Sequence, residues 1–485
     1  MCEPITKNFS VEDQASNADE EIFLDANDDI ESQKTERNNF SEIARINPET
    51  NVIQVKNCSG DDFIDLTTFP TEHTPKRIIN DTFIVDEPYE LVPQSRTELP
   101  KPLPPYRFSV WSYIKEFVGK DLTKITLPAC LNEPLSALQR PAEAFSYPEP
   151  FKQMIQPNID PVTRLEYVAA HYAITNSSQC YRLYKPFNPL LGETYELRND
   201  EKGFVFVAEQ VSHHPPIMAM LFQLPNFRGY GVIQVSIKFW GNSADAVVEG
   251  GWTFEFFDSN EKIESVITYP FPTTTGRNII FGDLWIEKHG TIPIINHTTG
   301  HKLYMTYKKK SWFNNRDLHA VEGVVVDKNG KELRYLYGHW TSEIWSCSPE
   351  TYKRILANPR LRKGHDSKLL VKANPRPPNS EYCFNLPLNS LALNDFREGM
   401  YLPRTDVRYR PDIRCLENGD LDGASAEKHR LEEKQRAARK LREAKGEKWT
   451  PLWFEMKYNP YNNSDEWTFN YKYFEQNFDR CPDIF

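Results

Sequence analysis

The middle of the chain, from Thr194 to about Tyr337, alternates short apolar segments with turn-forming residues. Segments rich in Val, Ile, Phe and Trp include Phe204–Val207, Gly231–Trp240, Asn278–Ile286 and Lys302–Tyr307. Many short strands broken by Gly, Asn and Pro favour an antiparallel meander. A sheet of this length has to close on itself, because long exposed edges invite aggregation. The pattern therefore predicts an α+β fold built on a large, nearly closed antiparallel β-barrel, at about residues 185–425.

Helical segments are predicted on both sides of this barrel. Apolar residues recur at helical spacing over residues 108–118, just after a connector with prolines at 100, 102, 104 and 105, where we place a domain boundary. Residues 427–448 have the composition of a long charged helix with few apolar positions. The C-terminal tail, 449–485, is rich in aromatic residues that can dock on the barrel.

Charge is distributed unevenly. Residues 1–100 carry 22 acidic against 8 basic residues, whereas the rest of the chain carries 46 against 50. The first hundred residues show no sustained periodicity, so we expect a largely disordered acidic arm. The 8 cysteines form no Cys-x-x-Cys pair, and no run of eighteen apolar residues occurs, so we expect a soluble, cytoplasmic protein without a metal site or cofactor.

Residues 209–216 read Glu-Gln-Val-Ser-His-His-Pro-Pro. A double proline ends a strand and places the imidazoles of His213 and His214 at the rim of a sheet, where an anion such as phosphate can be bound. Adjacent strand residues point to opposite faces, which disfavours a shared metal ion. The alternative is a pair of buried histidines that satisfy backbone groups.

This octapeptide matches the signature of the oxysterol-binding protein family. Lys185–Glu196, Arg410–Arg414 and Glu427–Arg436 resemble its other blocks, in the family's order. The resemblance covers about residues 105–485 and implies a barrel that encloses a lipid tunnel. It is greatest to short-form members that lack a pleckstrin-homology domain.

A phosphoinositide head-group site is implied by the same resemblance. Lys428, Glu432 and Arg436 stand at i, i+4 and i+8, which places them on one face of a helix. Spacing alone equally allows ordinary surface salt bridges along that helix. The head-group residues that the resemblance implies are Lys185, Asn188, His213, His214, Lys428, Glu432 and Arg436.

The resemblance also assigns roles to two segments before the barrel. Residues 108–118 would form a lid over the tunnel, although an amphipathic helix more often packs on a core. The lid residues in contact with sterol or membrane would be Phe108, Trp111, Ile114, Phe117 and Val118. Residues 19–28 resemble a degenerate acidic motif that docks on the VAP proteins of the endoplasmic reticulum, through Phe23, Asp25 and Ala26. An incidental acidic stretch is the alternative.

The expected function is transfer of lipids between membranes, with a sterol (cholesterol or an oxysterol) and a phosphatidylinositol 4-phosphate or 4,5-bisphosphate bound in one tunnel. The expected place is the surface of endoplasmic reticulum contacts with the plasma membrane, endosome, Golgi or lipid droplet. A lipid-dependent sensor or scaffold is the alternative. No nucleophile elbow, phosphate-binding loop or zinc-protease motif is present in the sequence, so no enzyme activity is predicted, and no nucleic-acid partner.

Overall fold

The computed structural model describes residues 44–46, 53–56, 63–64, 91, 95–103, 128–279, 284–311, 317–358, 361, 363–397 and 399–485. The chain divides into two compact units, Met1–Phe69 and Pro70–Phe485. In the first unit, three short antiparallel strands pair: β1 (Ala44–Ile46), β2 (Ile53–Lys56) and β3 (Phe63–Ile64). The acidic arm thus contains local strand pairing that its lack of periodicity did not predict.

The second unit is organised around one curved antiparallel sheet of 13 strands in the described chain. Its strands are β6 (Thr194–Asn199), β7 (Phe204–His213), β8 (Pro216–Leu224), β9 (Phe227–Phe239), β10 (Ser243–Phe257), β11 (Ile263–Pro270), β12 (Thr273–Arg277), β13 (Trp285–Asn296), β14 (Lys302–Tyr307), β15 (Ala320–Val326), β16 (Glu332–His339), β17 (Glu343–Cys347) and β18 (Lys368–Lys372). Neighbours in the sequence are neighbours in the sheet, except that β12 pairs with β10 and β13. The predicted antiparallel meander is confirmed.

The sheet ends at β18, at Lys372, so the barrel prediction of 185–425 extended too far. Residues 373–410 contain turns and short 3-10 helices instead, because this stretch is rich in Pro and Asn. The edge strands β6 and β18 are not paired with each other in the described chain, so the barrel is nearly closed rather than closed.

Two helices pack against one face of the sheet. They are α1 (Pro148–Met154) and α2 (Pro161–Thr175). Strand β4 (Asn132–Ser136) precedes them, β5 (Lys185–Phe187) follows them, and the two strands pair in parallel. Helix α2 begins where the Asp160 carboxylate accepts a hydrogen bond from the Thr163 amide at 2.9 Å. It packs against strands β13 to β18, and residues 164–174 are all buried, so it is a core helix.

Three further α-helices of the described chain follow β17 in the sequence, and short 3-10 helices occur throughout the second unit. They are α3 (Pro349–Ala357), α4 (Pro411–Glu417) and α5 (Leu421–Lys445), with short 3-10 helices at Ala129–Leu131, Arg140–Ser146, Asn176–Gln179, Asp200–Lys202, Ser380–Cys383, Leu388–Ala392, Val407–Tyr409 and Lys472–Glu475. No helix in the described part of the chain combines the length and the apolar character needed to cross a bilayer.

Helix α5 is the predicted charged helix, with different ends. It starts six residues before the predicted Glu427, because the Asp420 carboxylate caps the Gly423 amide at 2.8 Å. It ends three residues before the predicted Lys448, because Gly446 adopts a left-handed conformation (φ 68°) that closes the helix.

The aromatic tail docks on the outer face of the sheet, as predicted. It contains a hairpin of β19 (Phe454–Asn459) and β20 (Ser464–Phe469). A second apolar core joins strands β7 and β8 to this tail through the buried residues Val207, Val211, Ala219, Leu221, Trp453, Phe454, Phe469, Tyr473, Phe478 and Cys481. The tail therefore fixes the strand that carries the two histidines.

Candidate functional site

One end of the sheet gathers the predicted polar residues. Strand β7 ends at His213 and β8 begins at Pro216, so the turn between them lies at this end. In an antiparallel meander every second connection lies at the same end. The β9–β10 and β16–β17 turns, at residues 240–242 and 340–342, therefore share it, and we call it the His213 end.

Helix α5 reaches this end through Gln435. The Gln435 amide nitrogen donates to Nε2 of His213 at 2.8 Å, while its amide oxygen accepts from the backbone N–H of Leu191 at 2.8 Å. Because the Leu191 bond fixes the orientation of the amide, Nε2 of His213 has to be the acceptor, and so unprotonated. One side chain thus joins the helix, the Lys185–Glu196 loop and the histidine turn.

The imidazole of His213 is neutral in this state. Burial lowers the pKa of His213 to about 4, and the neighbouring His214 lowers it further, while the Pro189 carbonyl acts in the opposite direction. The two rings meet edge to face, with centroids 4.8 Å apart. An anion at this position would supply the negative charge that favours the protonated ring.

Lys185 is a partly buried cation at the start of β5. Its backbone is held by Asn132, whose Nδ2 donates to the carbonyl of Pro186 at 3.0 Å. Burial lowers the pKa of Lys185 to about 8, the nearby Lys428 lowers it further, and Glu432 partly offsets this. Among the residues that the structure describes, Lys185 forms no hydrogen bond or salt bridge through its ammonium group.

The α5 face presents both cations and carboxylates. Nζ of Lys428 lies 2.5 Å from Oε1 of Glu432, and Nη2 of Arg436 lies 3.8 Å from Oε2 of the same residue. Lys428 is buried, with 8% exposure, whereas the Arg436 side chain is 47% exposed and also pairs with Glu433. The salt bridges that the spacing allows along this helix are therefore present. Lys428, however, is buried and is not a solvated surface residue.

A buried ion-pair network supports the loop between β5 and β6. Nη1 of Arg410 lies 2.7 Å from Oε2 of Glu193 and donates to the carbonyl of Asn188 at 2.8 Å. Oε1 of Glu193 accepts from the hydroxyl of Ser136 at 2.6 Å. This network uses the main-chain oxygen of Asn188, so Arg410 positions the loop that directly follows the strand of Lys185.

The structure therefore brings Lys185, His213, Lys428 and Glu432 to one site, with His214 beside His213 and Arg436 further out on the helix. The lid residues Phe108, Trp111, Ile114, Phe117 and Val118 and the docking residues Phe23, Asp25 and Ala26 lie outside the described residues.

Sequence reasoning missed two residues of this site. Gln435 lies seven residues after Lys428, which is the same helix face, so 3.6-residue periodicity is the signal that would have found it. Arg410 starts the block that resembles the family, but no local pattern shows that it pairs with Glu193.

A cavity elsewhere at the surface contains none of these residues. It has a volume of about 500 Å³ and is lined by, among others, Tyr147, Tyr181, Ser342, Asn374 and Arg376. Its lining does not include the charged cluster at His213. No group of His, Cys, Asp and Glu within the described ranges is arranged to hold a metal ion.

The arrangement at the His213 end suits a ligand with oxyanions. Lys428 lies close enough to Lys185 to lower the pKa of Lys185. Lys428 is buried and Lys185 is partly buried. Hydrogen bonds between ionised partners are the strong ones, and desolvation strengthens them further. A sheet around an apolar core with this charged rim therefore suits amphiphilic, anionic ligands.

Comparison with known proteins places the chain within one family. The family described as Oxysterol-binding protein matches residues 109–478. Oxysterol-binding protein-related protein 2 of Mus musculus is 38% identical over 96% of this chain and 99% of its own length. Oxysterol-binding protein-related protein 1 of Homo sapiens is 40% identical over 81% of this chain, but the match spans only 44% of that protein. The chain therefore belongs to the oxysterol-binding protein family.

Solved structures confirm the fold. The Osh1 ORD domain in complex with cholesterol has a TM-score of 0.71 at 32% identity, over 80% of this chain and 94% of that one. The Osh3 ORD in complex with PI(4)P from Saccharomyces cerevisiae has a TM-score of 0.64 at 28% identity, over 80% of this chain and 96% of that one.

Proposed function

We propose that this protein carries lipids between membranes, holding either a sterol or a phosphatidylinositol phosphate inside the barrel and exchanging one for the other. The observation that carries this proposal is the pair Lys185 and Lys428, a buried excess of positive charge beside His213 at one end of an apolar barrel. The relatives solved with cholesterol and with PI(4)P support both cargo classes.

The head-group phosphate would contact Lys185, His213 and His214, with Lys428 and Arg436 contributing from α5. Glu432 would accept hydrogen bonds from ring hydroxyls, and Asn188 would contribute from the loop. Two of these cations already contact Glu432, so a phosphate would compete for partners that are in place. A charge-assisted contact of this kind contributes about 1.5–3 kcal/mol.

Enclosure of the tails favours carriage over simple surface recognition. Exposing an acyl chain of about sixteen carbons to water costs on the order of 13 kcal/mol, at about 0.8 kcal/mol per methylene. A few phosphate contacts do not offset that cost, so a carrier needs an apolar interior. Residues 108–118 would then close the barrel over its cargo.

The decisive experiment is transfer between donor and acceptor liposomes with purified protein. His213→Ala with His214→Ala should abolish extraction of phosphatidylinositol 4-phosphate and leave extraction of a fluorescent sterol largely intact. As a matched control, the exposed His365 and His429 are both replaced by alanine. This double variant should extract both lipids like the wild type. Equal loss of both cargoes in a folded His213/His214 variant would contradict this division of the site.

A lipid-dependent sensor is the second candidate, supported by the neighbouring cations Lys185 and Lys428, whose repulsion a bound anion would offset. A sensor binds the same lipids but leaves donor and acceptor liposomes unchanged. The same transfer assay therefore separates the two functions, and we propose no catalytic step for either.

Residues 19–28 would dock the protein on the endoplasmic reticulum. The protein would then act in the cytoplasm, at contacts between that membrane and a second membrane. Phe23→Ala should then abolish capture of VAP proteins in a pull-down without changing lipid extraction in vitro. Asp25→Ala and Ala26→Asp test the other two predicted docking residues in the same pull-down. Retention of VAP by the Phe23 variant would contradict docking through this motif.

A further inference from the structure

Lys288 is a lysine in the wall of the barrel, remote in sequence from the head-group residues. It lies on β13, directly opposite Thr274 of β12, and only 5% of it is exposed. Its Nζ donates a hydrogen bond to Oγ1 of Thr274 at 2.7 Å. An ammonium group has three N–H donors, so this contact uses one of them.

The side chain of Lys288 points to the inside of the sheet. Lys288 has the same position in the alternation of β13 as Ile292 and Ile294, which belong to the main apolar core. Its neighbour Glu287 forms a salt bridge of 2.8 Å with Arg277. Adjacent residues of a strand point to opposite faces. Across the sheet, Thr274 pairs with Ala246, and Ala246 pairs with Ile237, so the polar group lies next to small and apolar residues.

The charge of Lys288 has no opposite partner in the described chain. Burial lowers the pKa of Lys288 to about 7, and the positive charge of Arg140 lowers it further. Neither a carboxylate nor any other salt-bridge partner of Lys288 occurs among the described residues. A buried amine under these conditions is an energetic burden on the fold, and such burdens concentrate at functional sites.

Arg140 relates Lys288 to the head-group site. Its segment, Arg140–Ser146, packs on the core face of the sheet, where Phe145 contacts the rings of Phe204 and Phe222. Nη2 of Arg140 donates to the carbonyl of Tyr184 at 3.2 Å, and Tyr184 directly precedes Lys185. Arg140 thus contacts the backbone next to Lys185, while its charge acts on Lys288.

A second buried polar atom lies on the strand next to that of Lys288. Tyr307 of β14 pairs with Gly290, two residues along β13 from Lys288, and its ring belongs to the buried core. Its hydroxyl is buried and has no hydrogen-bond partner within the described residues. Diagonal positions on neighbouring strands are within reach of long side chains. Because Gly290 has no side chain, the space between Lys288 and Tyr307 is not blocked from that strand.

We propose that Lys288, Thr274 and Tyr307 form an internal binding site for an oxyanion of the lipid cargo, separate from the head-group site at the barrel rim. This inference rests on the proposed lipid-carrying function. The oxyanion is the phosphodiester of a glycerophospholipid or the carboxylate of a fatty acid. A sterol carries no such group, so the site distinguishes acidic lipids from sterols.

The test compares Lys288→Met, which keeps the length of the side chain without its charge, with the exposed Lys302→Met on β14 as the control. Each protein is incubated with liposomes that contain phosphatidylinositol 4-phosphate, a fluorescent sterol or oleate, and bound lipid is measured by native mass spectrometry. We expect Lys288→Met to reduce loading of an acidic lipid about tenfold or more and to leave sterol loading unchanged.

The pattern of loss identifies the source of the oxyanion. Loss of the phosphoinositide alone supports the phosphodiester, and loss of oleate alone supports the carboxylate. Unchanged loading of both acidic lipids, with sterol loading intact, overturns this inference and leaves the proposed function standing. A wild-type protein that loads no lipid at all overturns both.

A folding defect is excluded by thermal unfolding of the lipid-free variants. Lys288→Met removes an uncompensated amine, so its midpoint should equal or exceed that of the wild type. If the unfolding midpoint of Lys288→Met falls, the loading assay is repeated with Lys288→Gln, which keeps a hydrogen-bond donor towards Thr274. Wild-type loading of both acidic lipids by that folded variant would likewise overturn the inference.

Discussion

Lys185→Met should make the lipid-free protein more stable while removing its affinity for a phosphoinositide. The substitution keeps an unbranched side chain of similar length and removes the amine. The structure places this amine beside Lys428 and gives it no salt bridge within the described residues. Its charge therefore opposes folding until a ligand supplies an anion.

The pH dependence follows from the direction of the shift. Burial and Lys428 lower the pKa of Lys185 from 10.5 to about 8, so between these values the folded protein binds fewer protons than the unfolded chain. The free energy of unfolding therefore rises, through Lys185, as the pH increases from about 8 to about 10.5. Below pH 8 the full cost of the charged amine is present.

The magnitude is set by the same shift. A tenfold change in a proton equilibrium corresponds to about 1.4 kcal/mol, which gives an upper limit of about 3 kcal/mol at pH 7. Lys185 retains some exposure to solvent, and solvent screening reduces that limit to about 1–2 kcal/mol. Such a gain raises the unfolding midpoint by about 2–4 °C.

The measurement is thermal unfolding of lipid-free wild type, Lys185→Met and the exposed α3 control Lys353→Met, at pH 7 and at pH 10. The Lys185 variant should exceed the wild type at pH 7, and the difference should shrink at pH 10. Its extraction of phosphatidylinositol 4-phosphate from liposomes should fall about tenfold or more. A lower midpoint at both pH values, or undiminished extraction, would refute the reasoning.

Three further outcomes are expected. Gln435→Ala should destabilise the lipid-free protein by about 1–2 kcal/mol in urea unfolding, because it leaves the Leu191 amide and the His213 ring without their partner, whereas an unchanged midpoint would contradict this link. Trp453→Ala should cost about 3–5 kcal/mol, since this ring is 4% exposed in the core between tail and sheet, and a loss below 1 kcal/mol would exclude the docking role. Phosphatidylinositol 4-phosphate should displace a bound fluorescent sterol with one-to-one stoichiometry, and a complex with both lipids in native mass spectrometry would exclude a shared interior.

The barrel was predictable because short apolar segments separated by turn residues are a strong local signal for strands. The ends of its strands and helices were not predictable from this pattern. Strand β18 was missed because it has only five residues, of which three are exposed. The first turn of α5 was hidden by Gly423 and Ser425, which have low helix propensity and are helical here because Asp420 caps the turn. Charged residues continue after the helix, so composition did not reveal the stop at Gly446.

The candidate site was predictable only in part, for a physical reason. Lys185 and His213 stand in continuous segments that resemble the family, and the sequence is sufficient to select them. The residues that position them pair over long distances: Arg410 and Glu193 are 217 residues apart, and Gln435 and His213 are 222 apart. Such pairs follow from the closure of the fold, which no local pattern encodes.

The two buried lysines give the barrel a common energetic design. Lys185 at the rim and Lys288 in the wall both have a lowered pKa, for the same first cause, burial, and a nearby cation adds to it in each case. An acidic lipid supplies negative charge that these positions lack, whereas a sterol fills apolar volume and leaves both amines uncompensated. Binding energy for the acidic lipid therefore includes relief of a penalty that the empty fold already bears. We therefore expect this protein to favour the acidic lipid where that lipid is available and to accept a sterol where it is absent, which is the asymmetry that the proposed exchange between two membranes requires.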